Sequence, residues 1–437
     1  MKKKTIAIIL ALALALSLAA CGSAKEEENT SDTGNTAVTV SEKKGKKTET
    51  ESVQESVIQQ GEEVVTNANV SSQGAIGASD LFTDRDLTQT ADLTDAVYYT
   101  LSSGEYISIT SAGVYVISGS AEDVTITVDA TDEDKVQIVL SGAEITNKDF
   151  PCIYVKNADK VFVTTVKGTT NSLTVSGAFV EDGNTNTDAV IFSKDDLVLN
   201  GLGTLKVTSS DNGISCKDDL KITGGTLVIT AADCGLEAND SISVADGNIT
   251  VTANNDAIHC ENDDDYSVCS IYICGGSLSL KAGDDGIHAT TIFQIDGGNV
   301  TVTAAEGIEA TWVQINGGDI TVTATDDGVN AAKKSAAYTV LFEMNDGTLK
   351  ISMGQGDTDA IDSNGNIIVN GGTINITGQS SFDYDGTAKY NGGTIIVNGQ
   401  TVNAITNQMM GGGMGGMQQN QGGQMGPGGN QGGPRRW

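Results

Sequence analysis

"VQINGGDITVTATDDGVNA", residues 313–331, holds one whole structural unit. Val313 and Ile315 flank Gln314, and Gly317-Gly318 turns the chain. Ile320, Val322 and Ala324 then alternate with Thr321 and Thr323. Asp326-Asp327-Gly328 turns it again, and Val329 and Ala331 flank Asn330. Alternation with a period of two is the mark of a strand with one buried face. Three such strands of three to five residues cannot bury that face alone, so copies must stack.

The copies are present. Aligned on the turn glycine of residue 328, the motif recurs at Gly213, Gly235, Ala257, Gly286, Gly307, Gly328 and Ala360, in steps of 22, 22, 29, 21, 21 and 32. The two long steps carry insertions, "ENDDDYSV" at 261–268 and "KKSAAYTVLF" at 333–342. A period near 22 with three short strands predicts an all-β solenoid. We read it as a parallel β-helix, right-handed like other parallel crossovers. Regular coils are expected over 186–405, with an N-terminal cap and less regular first coils over 76–185.

The ends differ in kind. Residues 1–20, with Lys2 to Lys4 before an apolar run, read as a lipoprotein signal peptide, and Leu18-Ala19-Ala20-Cys21 as a lipobox that lipidates Cys21. The expectation is an exported protein, lipid-anchored to the outer face of the cell membrane. Residues 21–75 read as a disordered polar stalk and 406–437 as a disordered Gly/Gln/Met tail. A formal charge of −32 argues against nucleic acid as a partner. Any acidic ligand would need a bridging cation. The six cysteines after Cys21 invite a disulfide reading, but Cys216 and Cys260 fall in the slot of Ala238, Ala289 and Ala310 and read as small core residues. A monomer is expected.

In the "DGIxA" motif Ile and Ala point inward, so x points out. Successive coils then stack Ser215, Glu237, His259, His288, Glu309, Asn330 and Asp362 in one column. Asn212, Cys234, Asp256, Asp285, Glu306, Asp327 and Asp359 form the column beside it. Stacked members lie about 4.8 Å apart, where two carboxylates repel by about 1 kcal/mol in water and about 3–4 kcal/mol at an effective dielectric of 20. Protonation, dilution by hydroxyls and amides, or a hard cation between coils would offset this. Carboxylate, amide and carbonyl oxygens are a calcium set. The candidate ligands are Asp256, Asp284, Asp285, Glu306 and Glu309. The strongest lie later: Asp326, Asp327, Asp357, Asp359, Asp362 and Asn364, with Asp383 and Asp385 of "FDYDG". Asp263-Asp264-Asp265 is a separate possibility. Asp and Asn before Gly are also ordinary turn residues. His288 and Asn330 are candidate ligand contacts, and the two histidines are set in coils parted by an insertion. Outward Thr230, Thr252, Thr303 and Thr323 form a hydroxyl row that suits an ordered polysaccharide or simply strand propensity. Trp312 either stacks on a sugar ring or covers a coil edge.

The stretches "ITSAGVYVISGS", "VQIVLSGAEIT", "DDGIHA", "EGIEA", "DDGVNA", "DAIDSNGNIIVNGGTINITG" and "FDYDGTAKYNGGTIIVNG" run in one order over about 100–400. In this the chain resembles the clostridial carbohydrate-binding domain family of parallel β-helix proteins. The resemblance implies calcium in the coil turns and non-catalytic binding of cellulose or pectin-like (polygalacturonate-like) acidic polysaccharide. Cys234 breaks the acidic column, and Ala257 and Ala360 replace the turn glycine. The rivals are a β-helix polysaccharide lyase or hydrolase and a structural surface adhesin. A lyase needs a base beside its cation, yet the arginines are Arg85, Arg435 and Arg436, and no lysine falls inside the motif.

Overall fold

The computed structural model describes residues 75–77, 81–262, 264–355 and 358–408, all within one unit, Val53–Trp437. Residues 1–74 and 409–437, with the expected signal peptide, Cys21, nearly all of the stalk and most of the tail, lie outside the described residues, as does Asp357.

Among the described residues 34 strands form one continuous hydrogen-bonded sheet wound on itself. Every pairing of these strands is parallel except the last, where Thr394–Val397 meets Gln400–Val402 in a hairpin that ends the stack. The fold is a parallel β-helix. Three inner columns show why. The first strands stack Leu197, Leu220, Ile242, Ile271, Phe293, Val313, Phe342 and Ile367. The second strands stack Val207, Ile229, Val251, Leu280, Val302, Val322, Ile351 and Ile376. The third strands stack Ile191, Ile214, Leu236, Ile258, Ile287, Ile308, Val329 and Ile361. All are buried. One methylene lost here removes about 1 kcal/mol.

The turn between first and second strands puts a glycine in the left-handed region coil after coil, as at Gly318 with φ +83°. The motif glycine has another cause: a Cβ on Gly235 would lie 2.2 Å from Val251 Cγ1 and 2.6 Å from the Ala257 carbonyl oxygen. Ala257 escapes the first clash because the following coil carries Leu280, branched one carbon later, in register with Val251. Ala360 faces Ile376, and nothing in the structure explains its tolerance.

The expected cap is a strap instead. Residues 75–77 and 81–90 lie along the outer face of the first strands and cross many coils. Gln314 Oε1 accepts from Ala75 N at 2.7 Å, and Gln294 Oε1 from Ile76 N at 2.6 Å. Ile76, Leu81, Phe82 and Leu87 pack on Ala245, Tyr272 and Cys274. A helical turn, Asp84–Leu87, is closed by a capping box between Thr83 and Asp86. Asp86 is fully buried, with Lys160 Nζ 3.5 Å from its Oδ1, and Arg85 lies over the Phe162 ring at 4.5 Å. Gln89 donates to the Thr223 carbonyl and accepts from Gly201 N. The chain then enters the first coil at Val97–Thr100.

Candidate functional site

The outward column of the third strands has the order read from the sequence. Ser215 pairs with Glu237, Glu237 with His259, His259 with His288, His288 with Glu309, Glu309 with Asn330, and Asn330 with Asp362, and Asp383 follows. Two features differ from expectation. The column is buried or half-buried rather than open, with His288 and Glu309 only 8% and 5% exposed. The insertion at 261–268 loops out at the corner, so the two histidines are direct register partners, with rings stacked 4.8 Å apart.

The middle rungs neutralise themselves. Asp256 Oδ2 lies 2.6 Å from His259 Nδ1, and its Oδ1 accepts from Asp285 N at 2.8 Å. His288 Nδ1–H sits 2.8 Å from Asp285 Oδ2 and 3.1 Å from Glu309 Oε2. Burial works to lower the His288 pKa, but hydrogen bonds to Asp285 and Glu309 outweigh it and raise it to about 10. Lys334, from the second insertion, reaches Glu309 Oε2 at 2.7 Å. Burial pushes Glu309 up, yet hydrogen bonds from His288 and Lys334 prevail and hold it below the usual carboxylate range. Glu306, raised to about 7 by burial against a hydrogen bond from Asn330, is its neighbour. Asn330 Nδ2 donates at 3.1 Å to both Glu306 and Glu309. Lys217 serves Glu237 in the same way, at 2.6 Å.

The late rungs are built differently. Among the described residues, Asp327, Asp362 and Asp383 make no ion pair with lysine, arginine or histidine. Asp327 Oδ1 accepts from Asp359 N at 3.0 Å, Ser380 donates to Asp359, and Asn364 Nδ2 lies 3.5 Å from Asp362 Oδ2. Burial, then the charges of Asp327, Asp383 and Asp359, raises Asp362 to about 7. Burial, against the Asp359 N–H, raises Asp327 to about 6.

Not every expected ligand joins these sets. Asp284, Asp326, Asn364 and Asp385 are exposed at the turns, as is Asp264. Ligand atoms within 4.8 Å of one another occur in Asp256/Asp285/His288, Cys234/Asp256/His259, Asp285/Glu306/Glu309 and Asp196/Asp218/Asp219. Among the described residues the late acids form no such tight group. The tight clusters lie earlier, and those built on histidine or cysteine suit a hard cation poorly. The Asp196/Asp218/Asp219 set was missed. Its signal is the repeated "KDDL" at 194–197 and 217–220, which stacks at the corner between third and first strands. Burial raises Asp196 and Asp218, the latter to about 6.

Thr230, Thr252, Thr303 and Thr323 are exposed on the second-strand face, with Lys281 between Thr252 and Thr303. Trp312 is half-buried, 6.4 Å from the Tyr338 ring, and its Nε1 is buried without a partner. All six cysteines of the described coils are buried free thiols.

Parts of the chain are similar to known proteins. A Carbohydrate-binding domain-containing protein from Acetivibrio thermocellus is 40% identical over 122 residues, 27% of this chain and 43% of the relative, so the chain spans less than half of that protein. A solved structure described as a polysaccharide lyase-like protein from C. thermocellum, gadolinium derivative, is 31% identical, with 52% of this chain and 93% of that chain covered and a TM-score of 0.41. The family described as "Carbohydrate-binding domain-containing protein" matches residues 103–358, more than half of the sequence, and the chain belongs to that family.

Proposed function

We propose that this protein is a surface-anchored, non-catalytic carbohydrate-binding protein that holds cellulose or a polygalacturonate-like polysaccharide on a calcium-stabilised β-helix. The observation that carries it is the state of the acidic column: where lysine and histidine reach it, the acids are closed off by pairing, not poised for chemistry. Burial works to lower the Lys334 pKa, but Glu309 outweighs it and holds it above its ordinary value. A lyase base needs the opposite shift.

By donor type calcium fits the oxygen-only cluster of Asp196, Asp218 and Asp219, where Lys160 already reaches Asp196 at 3.2 Å, and a looser group of Asp327, Asp362 and Asp383. Asp285, Glu306 and Glu309 are oxygen-only too, but His288 and Lys334 already pair with them. The upward shifts of Asp362, Asp327 and Asp218 reflect carboxylates crowded by burial and by one another. A bound divalent cation would supply the missing positive charge. Pull-down on cellulose and on polygalacturonate, with reducing-sugar and unsaturated-product assays alongside, tests the reading. Retention without product is expected. Release of product, or no retention on either polymer, overturns it.

One observation favours a second reading, a hydrolase. Glu306, raised to about 7, beside Glu309, held low, resembles an acid paired with an ionised carboxylate. The pair ranks lower because its oxygens lie within 4.8 Å and Glu309 is tied to Lys334 and His288. Retaining pairs sit about 5–5.5 Å apart with the sugar between them.

A further inference from the structure

Both insertions interrupt the same corner of the coil, between third and first strands, where Ala289 and Ala310 elsewhere run into the next strand with little interruption. Insertions in a solenoid that gather on one side commonly build its binding surface. Here they meet. Lys334 N and Ser335 N both bond the Thr311 hydroxyl, and Ser335 Oγ donates to the Tyr266 carbonyl of the other insertion. The two loops and the strap residues Ala75 and Ile76 enclose a groove of about 400 Å³, within the size range of ligand pockets (about 300–1,000 Å³).

The lining has one chemistry. Tyr338 is on the wall and 38% exposed, while Tyr266, 49% exposed, directly precedes the lining residue Ser267 on the other insertion. Trp312 backs the Tyr338 ring. Asp219 and Asp240 line the groove together with the hydroxyl residues Ser270 and Thr291. Asp219 Oδ1 accepts from Ser241 and Asp240 Oδ1 from Asn262, which orients both carboxylates. Aromatic faces that take the apolar side of a ring, with fixed acceptors at its edge, suit a sugar rich in hydroxyl groups. The Asp240 carboxylate, in a chain of formal charge −32, repels a uronate.

We propose that this corner groove binds a neutral, hydroxyl-bearing segment of a polysaccharide, a β-glucan rather than a polyuronate. Ring stacking comes from Tyr338 and Tyr266, and Asp240 accepts hydrogen bonds from the sugar hydroxyls. The inference rests on the carbohydrate-binding reading above and deepens it.

The test titrates cellohexaose, and separately oligogalacturonate with calcium or with chelator, into the full chain by calorimetry. The variants are Tyr338→Ala, Tyr266→Ala and Asp240→Asn, each first checked for an unchanged melting temperature. Cellohexaose binding weakened at least tenfold by Tyr338→Ala and by Asp240→Asn is expected, with oligogalacturonate left unbound by the groove. Wild-type binding that all three variants retain places the sugar elsewhere and overturns the groove, while the carbohydrate-binding function stands. Binding of oligogalacturonate alone, lost in the variants, overturns the neutral-sugar assignment. A wild-type chain that retains neither polymer in the pull-down fails the function itself. If Tyr338→Ala alters folding, Asp240→Asn and Tyr266→Ala decide the matter alone.

Discussion

The middle and late rungs of the acidic column occupy one slot of one repeat, yet they solve like-charge stacking differently. At His288 and Glu309 the neighbours are cations: an imidazolium held protonated and the Lys334 ammonium. At Asp327 and Asp362 the neighbours are more carboxylates, and the result is acids pushed up to about 6 and about 7. The repeat sets where a side chain stands. Insertions and single substitutions set how its charge is met. A ladder of identical geometry can therefore hold a structural ion-pair network along one stretch and a site dependent on protons or a cation along the next.

The largest expected effect breaks the middle rung. His288→Ala leaves Asp285 and most of Glu309 without the imidazolium in a buried setting, and should cost about 3–5 kcal/mol in denaturant melts. The folded pKa of about 10 lies above the unfolded value of about 6.5. The pairing therefore stabilises fully below about pH 6.5 and fades as pH rises through about 10, so the cost of the mutation should shrink in melts at high pH. A cost that stays constant to pH 11 would show that packing, not charge, holds this rung.

Next is the late rung, where the sign reverses. Asp327 and Asp362 have folded pKa values above their ordinary value near 3.8. Their penalty is absent below about pH 4 and grows as pH rises to about 7. Melts with added calcium and with chelator should therefore separate widely at pH 8 and little at pH 5. An equal separation at both would remove calcium from these coils, and no separation at either would remove it from the protein. A smaller effect sharpens the contrast: Asp362→Asn should stabilise the chelated protein by about 1 kcal/mol at pH 8 by relieving one repulsion. The same change should narrow the calcium response. The smallest is on the opposite face, where Thr303→Val with Thr323→Val should stay within about 0.5 kcal/mol of wild type per site and leave cellulose retention unchanged.

Much of this was legible in the primary structure because a solenoid turns sequence spacing into spatial register. Gly213 through Ala360 gave the coils, and the outward residues from Ser215 to Asp362 stand in the order their motif predicts. Spacing failed where contacts do not follow the period. Ala75 and Gln314 lie 239 residues apart, and Gln89 and Thr223 lie 134 apart, so no local pattern announces the strap. The insertion at 261–268 obscures the contact of His259 with His288, because a loop that leaves the coil adds residues without adding distance along the stack. Lys334 lies outside every motif and reaches Glu309 only because its loop folds back over the Thr311 corner. The "KDDL" pair was visible, but it stands at a different corner from the one the motif drew attention to.

The strap also sets an order of events for the growing chain. Coils that touch only their neighbours can form as they emerge from the ribosome. Ala75 and Ile76, however, bond to Gln314 and Gln294, which are made more than 200 residues later. The segment synthesised before the first coil must wait exposed, with Leu81 and Phe82 uncovered, until most of the solenoid is built. It is among the last pieces to close, and it ties distant coils into one cooperative unit that a plain stack of neighbours would not form.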